Sequence, residues 1–291
     1  MTDVLSTSPI RIAGSRARLF DPANWVLNVL TALFAAIWFF PIYWALATSF
    51  KTDDEAVKKG INLLPESIHL NGYAFVIQNS DLPIWYVNSI ITSVAVTVLT
   101  VIMAACAGYA ISQLRFPGRK LLWYIVLASF MVPVSALIVN HFIIIADVKL
   151  LNTHAGMVLP MLISPVTVIV YKNFFDSMPR EYREAALIDG ANEFQLLFRM
   201  FIPMNWGITT ALAIITFIGA WNSFLWPFLV AQDEKMMTVT VGITAVQDAF
   251  GVAFARTLSG AVLASLPVAL AYLIFQRRVT QAITLSAGIK G

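Results

Sequence analysis

Residues Arg180–Pro203 read REYREAALIDGANEFQLLFRMFIP and form the densest cluster of charge in a very apolar chain. Two short helices are predicted within this stretch. Asp176 or Ser177 can cap the first helix, and Pro179 suits its opening turn. Gly190 is predicted to end this helix, because glycine readily adopts the left-handed conformation that a helix C-terminus often requires.

The second helix of the stretch is predicted to begin at Asn192. Gln195 follows three residues later, so the pair forms an asparagine version of the capping box. Pro203 follows this helix closely. The result is a compact helix–turn–helix between two hydrophobic runs. Those runs disfavour a DNA-binding role, because each is long enough to cross a membrane.

The composition is typical of a membrane protein. Hydrophobic residues make up 59% and charged residues 12% of the 291 residues. Six charge-free intervals reach the roughly 20 apolar residues that cross a bilayer as a helix, and a lipid-exposed sheet edge would leave backbone groups unpaired. We therefore predict an all-α, polytopic membrane protein with six transmembrane helices. The predicted spans are about 26–49, 84–112, 121–145, 154–175, 206–230 and 257–276.

Lysine and arginine are distributed unevenly between the connections of these spans. Thirteen of the 19 lie on the side that carries both termini and the loop 176–203, and six lie on the other side. The positive-inside rule therefore places both termini and this loop in the cytoplasm. The predicted organisation is a cytoplasmic arm over 1–24, a transmembrane domain over 25–278 and a cytoplasmic tail over 279–291, in the cytoplasmic (inner) membrane of a bacterium.

The sequence gives no indication of catalysis. It has no G-x-x-x-x-G-K-[ST] phosphate loop, so nucleotide hydrolysis is not expected in this chain. The lone Cys106 excludes an intrachain disulfide and a cysteine-based metal cluster, and the three histidines lack metal-ligand spacing. The net charge of +3 does not suggest a nucleic-acid partner. We predict no catalytic residue, no metal site and no enzyme activity.

The charged stretch resembles the cytoplasmic EAA loop of ABC importer permeases. The resemblance rests on Glu184-Ala185-Ala186, Asp189-Gly190-Ala191 and Ile202-Pro203. In that family the short helix of the loop docks into a groove of the ATPase subunit. The resemblance implies a coupling helix and an ATPase-coupling surface formed by Arg180, Glu181, Tyr182, Arg183, Glu184, Ala185, Ala186, Asp189 and Gly190. The alternative is an amphipathic connector on the bilayer surface, with its arginines near lipid phosphates.

Further segments are similar to the carbohydrate class of these permeases, which includes the smaller permease of the maltose importer. They are the connection 108–120, the segment 150–154 and the run 219–227. The resemblance implies that the external segment 247–254 reaches a substrate-binding protein. It also implies that the tail lies between the ATPase subunits; a frayed end is the alternative. The tail residues are Ser286, Ala287, Gly288, Ile289, Lys290 and Gly291.

Polar residues near or within the predicted spans are candidates for the substrate path. Asn222 is predicted at membrane depth in the fifth span, where its amide should face protein or a water-filled cavity rather than lipid. Trp221 is its neighbour. Asn140 and His141 lie near the external end of the third span and could hydrogen-bond substrate. For Asn222 and His141, a packing role is an equally valid interpretation.

The sequence leaves two functions to consider for this chain. The first, implied by the resemblance, is the permease subunit of an ATP-driven, binding-protein-dependent importer, which moves a sugar or sugar derivative by alternating access. Its implied partners are a homologous second permease, two ATPase subunits that hold ATP and magnesium, an external binding protein and membrane lipid. The alternative is an ion-coupled secondary transporter, disfavoured because no Asp or Glu falls within the charge-free intervals. The carried solute, whether sugar, polyol or a phosphorylated or sulfonated derivative, is left open.

Overall fold

The computed structural model describes residues 22–58, 62–246 and 253–286. These ranges contain helices and turns, and no strand. Most of the predicted arm, most of the external segment 247–254 and the tail from Ala287 to Gly291 lie outside the described residues. Contacts divide the chain into two compact units, Met1–Leu46 and Ala47–Gly291.

The described part of the first unit belongs to helix α1, Pro22–Ser49, which contains Pro41. Its side chains are apolar all round, and Trp38 is 80% exposed in the isolated chain. A helix that is apolar on every face matches a membrane environment rather than water. The part from Trp25 to Ser49 is long and apolar enough to cross a bilayer.

The second unit consists of helices of very different lengths. The longest are α4 (Leu82–Gln113) and α15 (Phe254–Ser286). The others are α2 (Asp53–Ala56), α3 (Asn71–Gln78), α5 (Arg119–Phe130), α6 (Val134–Asp147), α7 (His154–Val158), α8 (Pro165–Asp176), α9 (Arg180–Ile188), α10 (Glu193–Leu196), α11 (Ile202–Met204), α12 (Trp206–Trp221), α13 (Leu225–Val230) and α14 (Val239–Ala245). Short 3-10 helices cover Leu159–Leu162 and Glu234–Met236, and a π-helical turn covers Leu197–Phe201.

Membrane crossing is achieved by single helices and by bent helix pairs. Among the described residues, α1, α4 and α15 each contain a segment that meets the length and hydropathy of a span, and up to six spans result if each bent pair counts as one. The pairs bend by 101° between α5 and α6, by 50° between His154–Leu162 and α8, and by 85° between Glu193–Met204 and α12. Pro133 and Pro165 lie at the first two bends, where the missing N–H interrupts the helical hydrogen bonds.

Helix α4 is the centre of the packing in the second unit. It lies against α8 and α12. At Gly108 the backbones of α4 and α8 approach so closely that a Cβ atom would lie 2.8 Å from the Cβ of Tyr171. A glycine is therefore required at this crossing. The cluster around it buries aromatic rings, including Tyr109, Tyr171, Phe175 and Phe201.

The structure corrects the predicted beginning of the first short helix. Pro179 is the N-cap of α9 rather than a residue of its first turn, and no side-chain cap bond is present. Asp176 and Ser177 end the preceding helix instead. The Asp176 carboxylate instead accepts a hydrogen bond from the Ser112 hydroxyl at 2.6 Å and pairs with Lys172.

The second short helix also ends differently from the prediction. Pro203 lies inside the continuous helical segment Glu193–Met204, not after it. In the π-helical turn before it, the Ile202 N–H bonds the Leu197 carbonyl, five residues back. Pro203 has no N–H to donate, and the wider turn changes the hydrogen-bond pattern directly before it. The helix therefore continues through Pro203.

The helix predicted over 206–230 is interrupted after Trp221. Asn222 is the C-cap of α12, and α13 begins only at Leu225. Pro227 cannot donate to the carbonyl of Ser223, four residues back. That carbonyl accepts the Thr240 hydroxyl at 2.9 Å instead. A side chain from α14 thus stabilises the break.

Candidate functional site

Helix α9 is a charged helix with no buried residue. Glu184 and Ala185 are exposed, Tyr182 is 50% and Ile188 86% exposed. Ala186 faces inward and packs against the main buried cluster. The helix therefore presents one face of mixed charged and apolar side chains, which can be covered by a partner surface.

Arg183 is the charged residue of α9 that the chain itself engages. Its Nη2 donates to Glu193 Oε1 at 2.5 Å, and the Tyr109 hydroxyl donates to the other oxygen of the same carboxylate. Arg183 Nε is buried and has no hydrogen-bond partner in the described part of the chain. This network joins α9 to α10 and α4.

The turn after α9 confirms two predictions made from the sequence. Gly190 has a φ of +83°, the left-handed conformation. A Cβ atom added there would meet nothing within 4 Å, so backbone conformation rather than space requires glycine. The predicted capping box is present: Asn192 N–H donates to Gln195 Oε1, and Gln195 N–H donates to Asn192 Oδ1, both at 2.9 Å.

The segment Glu193–Met204 anchors this turn to the core. Leu196, Leu197 and Phe201 are 1%, 3% and 1% exposed. The Phe201 ring meets Tyr109 edge-on at 5.0 Å between centroids and Phe175 at 5.5 Å. Aromatic pairs in this geometry stabilise packing beyond their buried area.

Two grooves flank the exposed helix. The larger, of 1170 Å³, runs between α9 and the connection that follows α4, with Arg115, Arg180 and Glu184 in its wall. Arg119 also lines it, but its guanidinium donates to the carbonyls of Ile111, Leu114 and Ser112 and so caps α4. The smaller groove, of 420 Å³, lies between the turn and the next helix. It is lined by Ala186, Asp189, Gly190, Ala191, Gln195, Leu196, Arg199 and Met200.

The predicted path residues lie in different surroundings. Trp221 is 2% exposed, and its indole N–H donates to the Ala264 carbonyl at 3.2 Å, so it packs within the protein in this conformation. Asn222 is exposed at the break after α12. Asn140 is exposed on α6, while the neighbouring His141 is half-buried and meets the Trp226 ring edge-on at 6.1 Å. A role of these residues in the path stays a prediction.

Sequence reasoning missed a cavity among the predicted spans. It has a volume of 420 Å³ and lies between α4, α8 and α12. Its polar lining residues are Thr100, Ser164, Thr167 and Thr216. Pro165 was a signal for the break that opens it, but threonines spread over three helices give no sequence motif.

The arrangement of possible metal ligands was compared with that of a metal site over the described ranges. No group of three or more His, Cys, Asp or Glu side chains there could hold a metal ion. Cys106 is half-buried and unpaired. Of the predicted tail, Ser286 ends α15, and the remaining residues lie outside the described part.

Comparison with known proteins gives the family. Residues 97–284 match the model of the binding-protein-dependent transport system inner membrane component. The chain belongs to this family. It is therefore a transmembrane permease of the ABC importer type, and nothing in the comparisons supports an ion-coupled carrier.

The sequence similarity to individual relatives extends over nearly the whole permease. It is 28% identical over 271 residues to the arabinooligosaccharides transport system permease protein AraQ of Halalkalibacterium halodurans, covering 92% of this chain and 97% of that one. It is 31% identical to the diacetylchitobiose uptake system permease protein NgcG of Streptomyces coelicolor, covering 94% and 91%. The crystal structure of a bacterial ABC transporter that imports alginate matches with a TM-score of 0.79 at 21% identity, over 89% of this permease and 98% of that chain, which supports the fold.

Proposed function

We propose that this permease carries a sugar or sugar derivative, delivered by an external binding protein, across the inner membrane. The observation that carries the proposal is the agreement of full-length relatives whose names specify oligosaccharide transport. ATP and magnesium would be held by partner ATPases. A homologous second permease would complete the pathway.

The proposed coupling surface is the exposed face of α9 together with the turn at Gly190. Support comes from the exposure of Glu184 and Ala185, from the two flanking grooves, and from the buried anchor behind them. A partner that closes on this face would move α9, and the Arg183–Glu193–Tyr109 network would carry that movement to α4. Such a link between ATP binding and the spans is what alternating access requires.

The proposal also covers the orientation of the chain in the membrane and the position of its C-terminal tail. The lysine and arginine distribution supports cytoplasmic termini, and the tail Ser286–Gly291 would then lie on the ATPase side. A reporter fused after Gly291 should be active only inside the cell. Reporter activity only outside the cell would contradict this topology. Deletion of Ser286–Gly291 should lower ATP hydrolysis by the assembled complex, and normal hydrolysis would show that the tail takes no part in the mechanism.

Uptake by the assembled complex tests the function. The complex is purified from native membranes with its ATPases, second permease and binding protein, and it is reconstituted into lipid vesicles. We expect ATP-dependent accumulation of at least one radiolabelled saccharide from a panel of arabino-oligosaccharides and diacetylchitobiose, and none of leucine, the matched non-sugar solute. The proposed function would be overturned if the vesicles accumulated leucine but none of the saccharides. It would also be overturned if the chain purified from native membranes without ATPase subunits.

A further inference from the structure

The connection between α4 and α5 forms an open cleft whose charged residues are all basic. The cleft has a volume of 400 Å³. It is lined by Arg115, Phe116, Gly118, Arg119, Lys120 and Leu121. Three of these residues are basic, and none of the described residues that line the cleft is acidic. A concave surface that carries charge of one sign concentrates ions of the opposite sign, so this cleft attracts anions.

Two of the three cations are available to a ligand. Arg119 is already engaged, because its guanidinium donates to three carbonyls at the end of α4. These bonds hold the connection against α4 and so fix the turn on which the other two cations lie. Arg115 and Lys120 are both exposed, and neither side chain makes a hydrogen bond or an ion pair within the described residues. Their positive charges are therefore uncompensated by the chain itself.

The cleft lies where the polar connection meets the apolar surface of α5. Leu121 lines the cleft and is 65% exposed. Tyr124 and Ile125, one turn further along the helix, are also exposed. Trp123 lies between them and the cleft, with the Lys172 ammonium 4.7 Å from its ring centroid. Tryptophan and tyrosine are enriched at the headgroup level of a bilayer, so these rings indicate that the cleft lies at that level.

This apolar surface distinguishes a lipid from other anions. A free phosphate would contact the charges alone, whereas a phospholipid also places its glycerol and acyl chains against apolar side chains. Phe116 and Leu121 supply such side chains within the cleft, and α5 continues them into the bilayer. No residue of α9, the proposed ATPase contact, lines the cleft. The surroundings therefore favour a lipid over a soluble anion and over the ATPase.

We propose that Arg115 and Lys120 bind the headgroup phosphate of an anionic phospholipid, such as phosphatidylglycerol. The phosphate oxygens would accept from the guanidinium and the ammonium, which are the two side-chain groups best suited to phosphate. The acyl chains would lie along α5. Basic residues next to a span are a general means of recognising anionic headgroups. The proposed orientation names the leaflet, but the site itself does not depend on the transported solute.

Lipid binding by the assembled complex tests the site. The complex is purified in detergent with its partner subunits and titrated with palmitoyl-oleoyl phosphatidylglycerol, or with phosphatidylcholine of the same chains. Bound lipid is counted by native mass spectrometry. The double variant Arg115→Gln/Lys120→Gln should weaken phosphatidylglycerol binding about 25-fold, because each basic residue near a bilayer contributes roughly a factor of five. Phosphatidylcholine binding should be equal in parent and variant. Both positions are exposed, so the fold should be retained.

Two further variants separate specific binding from net charge and from shape. Lys149→Gln/Lys235→Gln is the matched control, because it also removes two exposed cations, from connections on the opposite side of the predicted topology. Its affinity for phosphatidylglycerol should equal that of the parent. Arg115→Lys keeps the positive charge and should bind within about two-fold of the parent, since lysine also binds phosphate.

Several results would overturn the site. One is equal weakening by the two double variants, and another is equal binding of the two lipids by the parent. Equal weakening by Arg115→Lys and Arg115→Gln would show that charge does not hold the lipid. Displacement of phosphatidylglycerol by millimolar inorganic phosphate would identify a free anion as the ligand. Loss of ATPase subunits from the Arg115→Gln/Lys120→Gln complex before lipid is added would assign these cations to the ATPase contact. None of these measurements involves saccharide uptake, so failure of this site is distinguishable from failure of the proposed function.

Discussion

The two helical segments of the EAA-like loop are adjacent in sequence but differ in what surrounds them. Helix α9 leaves Glu184 and Ala185 exposed and contributes mainly Ala186 to the core. The segment Glu193–Met204 buries three large apolar side chains against the aromatic cluster between α4 and α8. One segment is therefore a presented surface and the other its anchor. This difference predicts that substitutions in the two segments have separable effects on stability and coupling.

The largest effect is expected at the anchor. Phe201→Ala removes a ring that is 1% exposed, and such truncations cost about 3–5 kcal/mol through lost packing and the remaining cavity. We expect a markedly lower thermal unfolding midpoint of the purified complex in detergent and a lower yield. Phe194→Ala is the control, because Phe194 is 73% exposed in the neighbouring turn. Equal midpoints for both variants would show that this segment does not anchor the loop.

An intermediate effect is expected at the turn between the segments. Gly190→Trp places a side chain at a φ of +83°, which costs roughly 1–2 kcal/mol for an ordinary residue. Substrate-stimulated ATP hydrolysis should fall as the turn relaxes and α9 leaves its register, while membrane insertion is retained. Gly190→Asn should keep most of the activity, because asparagine adopts this conformation more readily. Comparable losses of ATP hydrolysis in both variants would show that the added side chain, rather than strain in the backbone at positive φ, causes the effect.

The smallest effect on stability is expected on the presented face. Glu184 is exposed, so Glu184→Ala should leave the unfolding midpoint of the isolated permease unchanged. It should nevertheless reduce ATPase attachment or coupled uptake, because an interface arginine would lose its carboxylate partner. Glu66→Ala, at an exposed pair with Lys58 far along the chain from the loop, is the control. Wild-type ATP hydrolysis and uptake for Glu184→Ala would remove this carboxylate from the coupling surface.

The sequence by itself determined the features that depend on local chemistry. Gly190 and the Asn192–Gln195 capping box were predictable because a helix end is decided by a few neighbouring residues. The all-helical membrane class was predictable because a bilayer leaves no other way to pair the backbone of long apolar runs. The family-like motifs of the loop and of the connection 108–120 also indicated the family without any tertiary information.

Only the tertiary structure decided where the helices break and which polar groups meet. At the break after α12 the Ser223 carbonyl accepts a hydroxyl from Thr240 on α14. The Asp176 carboxylate bonds Ser112 on α4 and pairs with Lys172 one turn earlier on its own helix. The cavity between α4, α8 and α12 is lined by both Thr100 and Ser164, which lies 64 positions later in the chain. Apolar runs have nearly the same local sequence pattern wherever they bend or cross. The positions of the bends and crossings are therefore set by contacts between residues that are distant in the sequence.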